Sequence, residues 1–279
     1  SNIENIDDDA FDGLINLENI DFSDNKMKLF NGFLRFCYKI RKMNFERSNI
    51  ERIEANNAFE NLLKLQDLNL KENNISIIFN YTFKKNLYLT IIDLSYCNVE
   101  IIEPLAFFGA SFLVEILLNN NKKRTIYRFT FQNHEFLQHL QLSSSNIQTI
   151  ELVNLKTLEL NDNNFTIVDP SLFTQLNNLK LLNLRGSHLN SIQPFSFQGF
   201  NLLTALFVNY NQLREIKVNT FNGLDSVIIL DLSNSEIDIL YSGSFFGLSN
   251  LETISLNNNR IKYLPNNLFR GLQNLNEIN

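Results

Sequence analysis

The chain has 279 residues, and 24 lysines and arginines against 30 aspartates and glutamates give it a formal net charge of −6. This balance gives no electrostatic reason to expect nucleic acid or an anionic membrane surface as a partner. No apolar run approaches the roughly 18 residues that a membrane-spanning helix requires, so no span is predicted within the chain.

A segment of 24 residues recurs through the whole chain, and its clearest copy, at Leu251, reads L-x-x-L-x-L-x-x-N-x-L-x-x-L-x₄-F-x-G-L. The copies begin at Leu17, Ile40, Leu65, Leu89, Leu113, Leu137, Leu155, Leu179, Leu203, Val227, Leu251 and Leu275. A fixed period of about 20–29 residues with this consensus is typical of leucine-rich repeats. The sequence therefore predicts an α/β-type leucine-rich repeat solenoid, a horseshoe with a parallel sheet on its concave face and mostly loops and short turns on its convex face.

Each copy is expected to begin with a short strand. Alternation along L-x-x-L-x-L points the fourth and sixth template positions inward and the residues between them outward. The polar residue after the strand should bond backbone groups that the turn leaves unpaired in the interior. This ladder position is filled by Asn25, Asn73, Asn121, Asn163, Asn211 and Asn259, by Ser48, Ser145, Ser187 and Ser235, and by Cys97.

Ten residues after the ladder position comes a phenylalanine. The rings should stack from repeat to repeat into a spine beneath the convex side, which is a structural role. They are Phe83, Phe107, Phe131, Phe173, Phe197, Phe221, Phe245 and Phe269, with Phe36 and Phe59 displaced by one position.

We expect residues 1–279 to form one repeat array of about 11 full copies, with partial repeats at both ends and without capping units. One copy, residues 137–154, is irregular because it has lost its convex segment and its Phe. The copy before it places Lys123 at an apolar position between Lys122 and Arg124, close to Arg128. This basic cluster is either a solvated bulge or a contact site for an anion.

The copies between Leu155 and Leu272 resemble the typical class of extracellular leucine-rich repeat, found in ectodomains of Toll and Toll-like receptors, Slit-type guidance proteins and secreted insect immune proteins. The resemblance extends over essentially the whole chain. It implies a secreted or cell-surface recognition protein, with a role in reception, adhesion or innate immunity. The cysteine-rich caps usual in extracellular members are missing from this sequence.

Three Asn-x-Ser/Thr sequences, at Asn74, Asn80 and Asn164, are candidate N-glycosylation sites and lie outside the predicted concave strands. The two cysteines, Cys37 and Cys97, belong to layers two or more repeats apart, beyond the reach of a disulfide. Both are expected to be buried thiols.

No catalytic, metal-binding or cofactor-binding motif is found. The histidines at 134, 139 and 188 belong to repeat positions, and none has a partner at a spacing typical of catalysis or metal ligation. We expect no enzymatic activity, no cofactor and no metal.

The outward positions of the concave strands show the most informative departures from the repeat. One column is polar, with Asp21, Asn44, Asn69, Asp93, Gln141, Glu159, Asn183, Asp231 and Ser255. Apolar residues interrupt the polar face in two groups, first Leu181, Ala205, Phe207, Tyr210 and Ile229, and second Ile91, Tyr96, Val114 and Leu117. Because exposed apolar patches on soluble proteins usually mark interaction sites, both groups are candidate partner-binding sites. They could also be residues that tolerate exposure or lie under a neighbouring loop.

Two functions fit these features better than the remaining alternative, an intracellular scaffold. The first is an extracellular recognition module that binds a protein ligand or co-receptor through its concave or lateral surface. The alternative is a structural or matrix protein whose repeats assemble laterally, as a homodimer or a larger assembly. Cysteine-rich caps, a membrane span and a signalling domain in the full-length chain would favour the first, and concentration-dependent assembly would favour the second.

Overall fold

The computed structural model describes residues 1–54, 58–122, 130–131, 134–145, 155–173 and 176–279, together with the backbone of residues 125–126 and 149–150. The chain forms two compact units, residues 1–145 and 146–279. Within the described residues, no helix is long and apolar enough to cross a bilayer.

The first unit is built on parallel strands of three residues, one from each repeat. These strands are β1 (Asn19–Asp21), β3 (Lys42–Asn44), β5 (Asp67–Asn69), β7 (Ile91–Asp93), β9 (Glu115–Leu117) and β11 (His139–Gln141). Each pairs with the next at the same register. Shorter strands follow in each repeat, namely β2 (Leu29–Phe30), β4 (Arg52–Ile53), β6 (Ile77–Ile78), β8 (Ile101–Ile102) and β10 (Thr125–Ile126).

The second unit repeats this plan. Its parallel sheet contains β13 (Thr157–Glu159), β15 (Leu181–Asn183), β17 (Ala205–Phe207), β19 (Ile229–Asp231), β21 (Thr253–Ser255) and β22 (Glu277–Ile278). The shorter strands are β12 (Thr149–Ile150), β14 (Ile167–Val168), β16 (Ser191–Ile192), β18 (Glu215–Ile216) and β20 (Ile239–Leu240). Each unit is a parallel-strand solenoid, which confirms the predicted fold class.

The predicted alternation is confirmed along the strands. In β19 the central Leu230 is 0% exposed, as is Leu232 just after the strand, whereas Ile229 on the other face is 41% exposed. The same contrast appears in β5, β9, β15 and β17, where one buried central residue lies between two more exposed ones. Burying one such aliphatic side chain stabilises the fold by about 1.5–3 kcal/mol, so inward positions hold the solenoid together.

The ladder residues connect successive repeats through buried hydrogen bonds. The amide of Asn73 donates to the carbonyls of Phe45 and Leu70, both at 2.7 Å. Its Oδ1 accepts from the backbone N–H groups of Ser48 at 3.2 Å and Ile50 at 2.8 Å. One side chain therefore serves its own repeat and the preceding one, as the sequence predicts.

The serines and the cysteine of the ladder make a smaller set of bonds. The Ser145 hydroxyl donates to the Leu118 carbonyl at 2.8 Å, and the Cys97 thiol to the Leu70 carbonyl at 3.0 Å. Both side chains are fully buried. The structure also shows Cys37 and Cys97 as buried free thiols, which confirms the prediction for the cysteines.

The phenylalanine spine is present in both units. Rings 83 and 107 are 5.6 Å apart and 8° from parallel, and rings 221 and 245 are 6.1 Å apart and 17° from parallel. Stacked rings run from Phe59 to Phe131 in the first unit and from Phe197 to Phe269 in the second, and they are buried apart from the half-buried Phe269.

The prediction that Phe36 joins the spine is wrong. Phe36 is 37% exposed, while Leu34 is 1% exposed and occupies the spine position. The Leu34 carbonyl accepts the N–H of Cys37, as the Phe59 carbonyl accepts the N–H of Leu62 in the next repeat. The first repeat is one residue short of the common period, and the missing residue shifts the register so that a leucine meets the core.

The glycine of the Gly-Leu pair is required where successive repeats touch. At Gly247, φ is 101°, a conformation that other residues rarely adopt. A Cβ there would lie 2.7 Å from the Phe221 carbonyl oxygen of the preceding repeat. The convex turns therefore pack backbone against backbone.

Several predictions fall on residues 123–124, 127–129, 146–148 and 151–154. These are the basic cluster at Lys123, Arg124 and Arg128 and the convex part of the irregular repeat, and they lie outside the described residues. Lys122 is described, and its Nζ lies 3.4 Å from Glu100 Oε1.

Candidate functional site

The larger apolar group is assembled by strand register in the second unit. Leu181, Ala205 and Ile229 are direct partners on the adjacent strands β15, β17 and β19. The residue that follows each of them along the chain is a fully buried core leucine. These three side chains therefore face away from the core and form one apolar row, with Ile229 41% exposed and the other two half-buried.

Phe207 lies beside this row, between Asn183 and Asp231 in register. Those two neighbours have a local role, because Asn183 Oδ1 accepts the N–H of Arg185 at 3.1 Å and Asp231 Oδ1 accepts the N–H of Ser233 at 2.9 Å. A phenylalanine has no acceptor for this turn bond. What it adds instead is a half-buried aromatic surface on the concave face.

Tyr210 stands three residues beyond β17 and is 52% exposed, with φ of 57°. The Arg185 guanidinium lies 4.6 Å from its ring centroid, an arrangement that orients both side chains. We call Leu181, Ala205, Phe207, Tyr210 and Ile229 the concave patch.

Sequence reasoning missed one residue next to the concave patch. Ile228 is 36% exposed and immediately precedes Ile229. The run from Val227 to Leu230 contains four consecutive apolar residues where the repeat requires only the first and fourth. The two additional apolar residues in this run are the sequence feature that could have identified Ile228.

The smaller apolar group is less continuous. Ile91 is opposite Glu115 in the register and Leu117 is opposite Asp93, so no apolar row forms across β7 and β9. Ile91 and Leu117 do line one shallow depression of about 530 Å³ on the concave face of the first unit. Val114 and Tyr96 are not among its lining residues, although Tyr96 is 51% exposed.

The lining of that depression is mixed, with further apolar residues at Ile20, Met43 and Leu68 and with several carboxylates. Lys42 Nζ lies 2.6 Å from Asp67 Oδ2, and Asp21 and Asp93 are also part of the lining. Hydrogen bonds from the Ser23 side chain and backbone N–H hold the pKa of Asp21 below its ordinary value, so this carboxylate is charged at neutral pH. The concave strands of the first unit thus place carboxylates among apolar side chains, whereas those of the second unit carry an uninterrupted apolar row.

The sequons lie outside the concave strands, as predicted. Asn74 and Asn164 are exposed. Asn80 is half-buried, and its Oδ1 accepts the N–H of Leu105 at 2.8 Å.

The three histidines occupy different places in the repeats. His134 is 8% exposed, and its Nε2 lies 3.1 Å from the Phe107 carbonyl oxygen, so it fills a repeat position in the core. His139 is on β11, and His188 is exposed. Across the described residues, no group of three or more His, Cys, Asp or Glu side chains could hold a metal ion. Burial raises the pKa of the Cys97 thiol to about 12, which makes it a poor nucleophile.

Solved structures share this fold. A chain of the Drosophila Toll–Spatzle complex superposes with a TM-score of 0.85 at 24% identity, over 98% of this chain and 37% of that one. The glycosylated form of the complex gives 0.74 at 18% identity, over 99% and 42%. An internalin from Listeria monocytogenes gives 0.68 at 20% identity, over 99% and 77%. The chain thus spans less than half the length of the Toll–Spatzle chains it matches, and at these identities the likeness shows the fold.

Family models match the sequence along its whole length. The BspA-type leucine-rich repeat region matches residues 1–109 and 54–180, and the leucine-rich repeat model matches residues 153–213, 203–261 and 240–279. No curated protein matches the chain in sequence. With more than half of its residues matched by one model, and with the strands, ladder and spine of the repeat in place, the chain belongs to the leucine-rich repeat family.

Proposed function

We propose that this chain is an extracellular recognition module, without catalytic activity, that binds a protein partner through the concave patch of its second unit. Toll, whose fold it shares, is solved in complex with a second protein, Spatzle. A parallel sheet whose inward residues form the core leaves its outward residues available for contact with another molecule.

The observation that carries the proposal is the apolar row on β15, β17 and β19. Exposed apolar surface of this kind has a free-energy cost in water, and the neighbouring leucines show that the core does not need it. Aromatic residues in such a position are the usual anchors of protein interfaces. Phe207 and Tyr210 provide two, and the surrounding Asn183 and Asp231 provide a polar rim.

An extracellular location is supported by three sequons outside the concave strands, two of them with exposed asparagines. One of the matching Toll–Spatzle structures is a glycosylated form. Asn164 belongs to the same unit as the concave patch but lies off its sheet, so a glycan there would be attached outside the patch.

The test begins with a multimerised form of the chain, screened against a panel of secreted and cell-surface proteins from the source organism. Phe207→Asp and Leu181→Asp are then compared with the unmodified chain by surface plasmon resonance. Because a buried anchor contributes about 2 kcal/mol or more, each variant should weaken binding roughly 30-fold or more.

Ser255→Asp is the matched control, because Ser255 occupies the same strand position on β21, outside the concave patch. Circular dichroism spectra should show all three variants folded, since none of the substituted residues is fully buried. Binding that survives both Phe207→Asp and Leu181→Asp in folded protein would exclude the concave patch as the binding site.

A further inference from the structure

A second exposed apolar surface lies on the first unit, at the edge where the chain enters the strands. The residue three positions before each strand forms a column, because the strands pair in register. From β3 to β11 this column contains Lys39, Lys64, Tyr88, Phe112 and Phe136. We call it the edge stripe.

The rings of the edge stripe contact one another and are exposed to solvent. Tyr88 and Phe112 have centroids 6.2 Å apart, and Phe112 and Phe136 have centroids 5.2 Å apart. The Lys64 ammonium lies 4.9 Å from the Tyr88 ring centroid and extends the column with a cation. The rings nevertheless remain 43%, 39% and 48% exposed in chain order, so their mutual contact leaves much of their surface in water.

The exposed area is large enough to act as a binding site. With side chains of about 200 Å², these exposures leave roughly 80–100 Å² on each ring. Leu63 and Leu87, each directly preceding a member of the edge stripe, are 48% and 44% exposed. Together the five side chains present about 400 Å², the size at which a patch on a soluble protein is often functional.

The same column in the second unit shows that the repeat does not require aromatic residues there. At the equivalent positions that unit has Asn178, Leu202, Ser226, Asn250 and Asn274. Two of these bond each other, with the Asn274 amide donating to Asn250 Oδ1 at 3.2 Å. Four of these five residues are polar, so the fold does not account for the aromatic residues of the first unit.

Charge indicates the kind of partner. Within the loop segments 35–39, 60–64, 84–88, 108–112 and 134–136 there are five cations, at positions 35, 39, 64, 84 and 85, against two acids, at 60 and 135. None of the five forms an ion pair with a described carboxylate. This local excess of positive charge stands out on a chain with a net charge of −6. A second copy of the same stripe would bring like charges together, which disfavours self-association.

We propose that the edge stripe docks an acidic protein segment that carries apolar side chains, as a binding site separate from the concave patch. The rings and leucines would receive the apolar side chains. The ammonium groups of Lys39 and Lys64 would pair with the carboxylates and speed the encounter.

The probe is a random peptide library displayed on yeast and sorted for binding to the intact chain, with counter-selection against Tyr88→Asn/Phe112→Asn. Asparagine is chosen because the second unit has it at the equivalent positions. Enriched peptides should combine aspartate or glutamate with aromatic or aliphatic residues. Their affinity should fall about tenfold or more on the double variant, and also when salt is raised from about 0.15 M to about 0.5 M.

Two further variants sharpen the result. Leu202 occupies the equivalent position in the second unit and is 48% exposed, as Phe136 is in the edge stripe. Leu202→Asn should therefore leave the affinity for the peptides unchanged. Lys39→Glu/Lys64→Glu keeps the rings and reverses the charge, so it should abolish acidic binding even if the asparagine variant does not fold.

Three outcomes would overturn the proposal. Enriched peptides without an excess of acidic residues would contradict the proposal of an acidic partner. If no peptide binds the intact chain more tightly than the variants, the edge stripe is not a binding site. Dimerisation in analytical ultracentrifugation that is lost in Tyr88→Asn/Phe112→Asn would assign the edge stripe to a second copy of the chain.

Discussion

Asparagine alternates strictly with a smaller residue along the ladder, from Asn25 and Ser48 to Ser235 and Asn259. The two kinds of residue make different sets of bonds, and we expect them to differ sharply in their contribution to stability. Neighbouring positions of one unit, Asn211 and Ser235, allow a direct comparison. Both are buried, at 3% and 0% exposure.

The magnitudes follow from which groups lose their partner. Asn211→Ala removes the acceptor of the Leu189 N–H, at 2.9 Å, and the donor to the Leu184 carbonyl, at 3.0 Å. Leaving a buried polar group unpaired costs about 1–3 kcal/mol, so the loss of both predicts a destabilisation of roughly 2–6 kcal/mol. Ser235→Ala removes a donor to the Val208 carbonyl, but that carbonyl keeps the Asn211 amide at 2.7 Å. It also removes the acceptor of the Asn211 backbone N–H, but that bond is long, at 3.4 Å, and therefore weak. The expected destabilisation is about 1 kcal/mol.

Urea unfolding followed by far-UV circular dichroism measures both values, since the chain has no tryptophan to report by fluorescence. Repeat arrays can unfold in stages, so amide exchange of the second unit serves as a local check. Equal destabilisation by the two substitutions would show that the second donor to the Val208 carbonyl does not protect the protein against loss of the Ser235 hydroxyl. The reasoning would then be wrong.

Three other predictions concern the core and the surface. Phe221→Ala should destabilise the protein by about 3–5 kcal/mol, because its fully buried ring stacks between two others; Phe246→Ala, at 58% exposure, should change the urea midpoint little. Cys97 should resist alkylation by iodoacetamide at pH 8 until urea is added, as mass spectrometry would show, because its folded pKa is raised to about 12. The contribution of the Cys97 thiol to stability is fully present below the unfolded thiol pKa of about 8.5. It is lost as the pH rises from there to the folded pKa of about 12. Expression in a secretory eukaryotic host should give a mass shift on glycosidase treatment, with Asn80→Gln reducing it less than Asn74→Gln; an unchanged mass would contradict the extracellular assignment.

The fold was predictable from the sequence because each structural feature of the repeat is encoded in many copies. Period, strand alternation, ladder and spine all depend on local residue patterns that one copy would leave ambiguous and twelve starts make clear. The failure at Phe36 shows the limit. A one-residue deletion shifts the register, and only burial identifies Leu34 as the residue that reaches the core.

The surfaces were less predictable, because they depend on which residues become neighbours. Alternation alone identified Leu181 and Ile229, since both occupy outward strand positions. Ile228 was missed because the template treats the second position as variable. The edge stripe was missed because its members lie in the turns, where residues 24 apart become neighbours only when the repeats stack.

Mutations can test the two proposed surfaces without disturbing the core. Phe207 and Phe112 lie on the outside of repeats whose inward residues, such as Leu206 and Ile116, are fully buried. Replacing an outward side chain therefore leaves the packing that stabilises each repeat in place. Phe207 belongs to the concave patch and Phe112 to the edge stripe, so if these are separate sites a variant at one should leave binding at the other unchanged. A combined variant that lost more affinity for either partner than its single variant would show that the two surfaces act as one site.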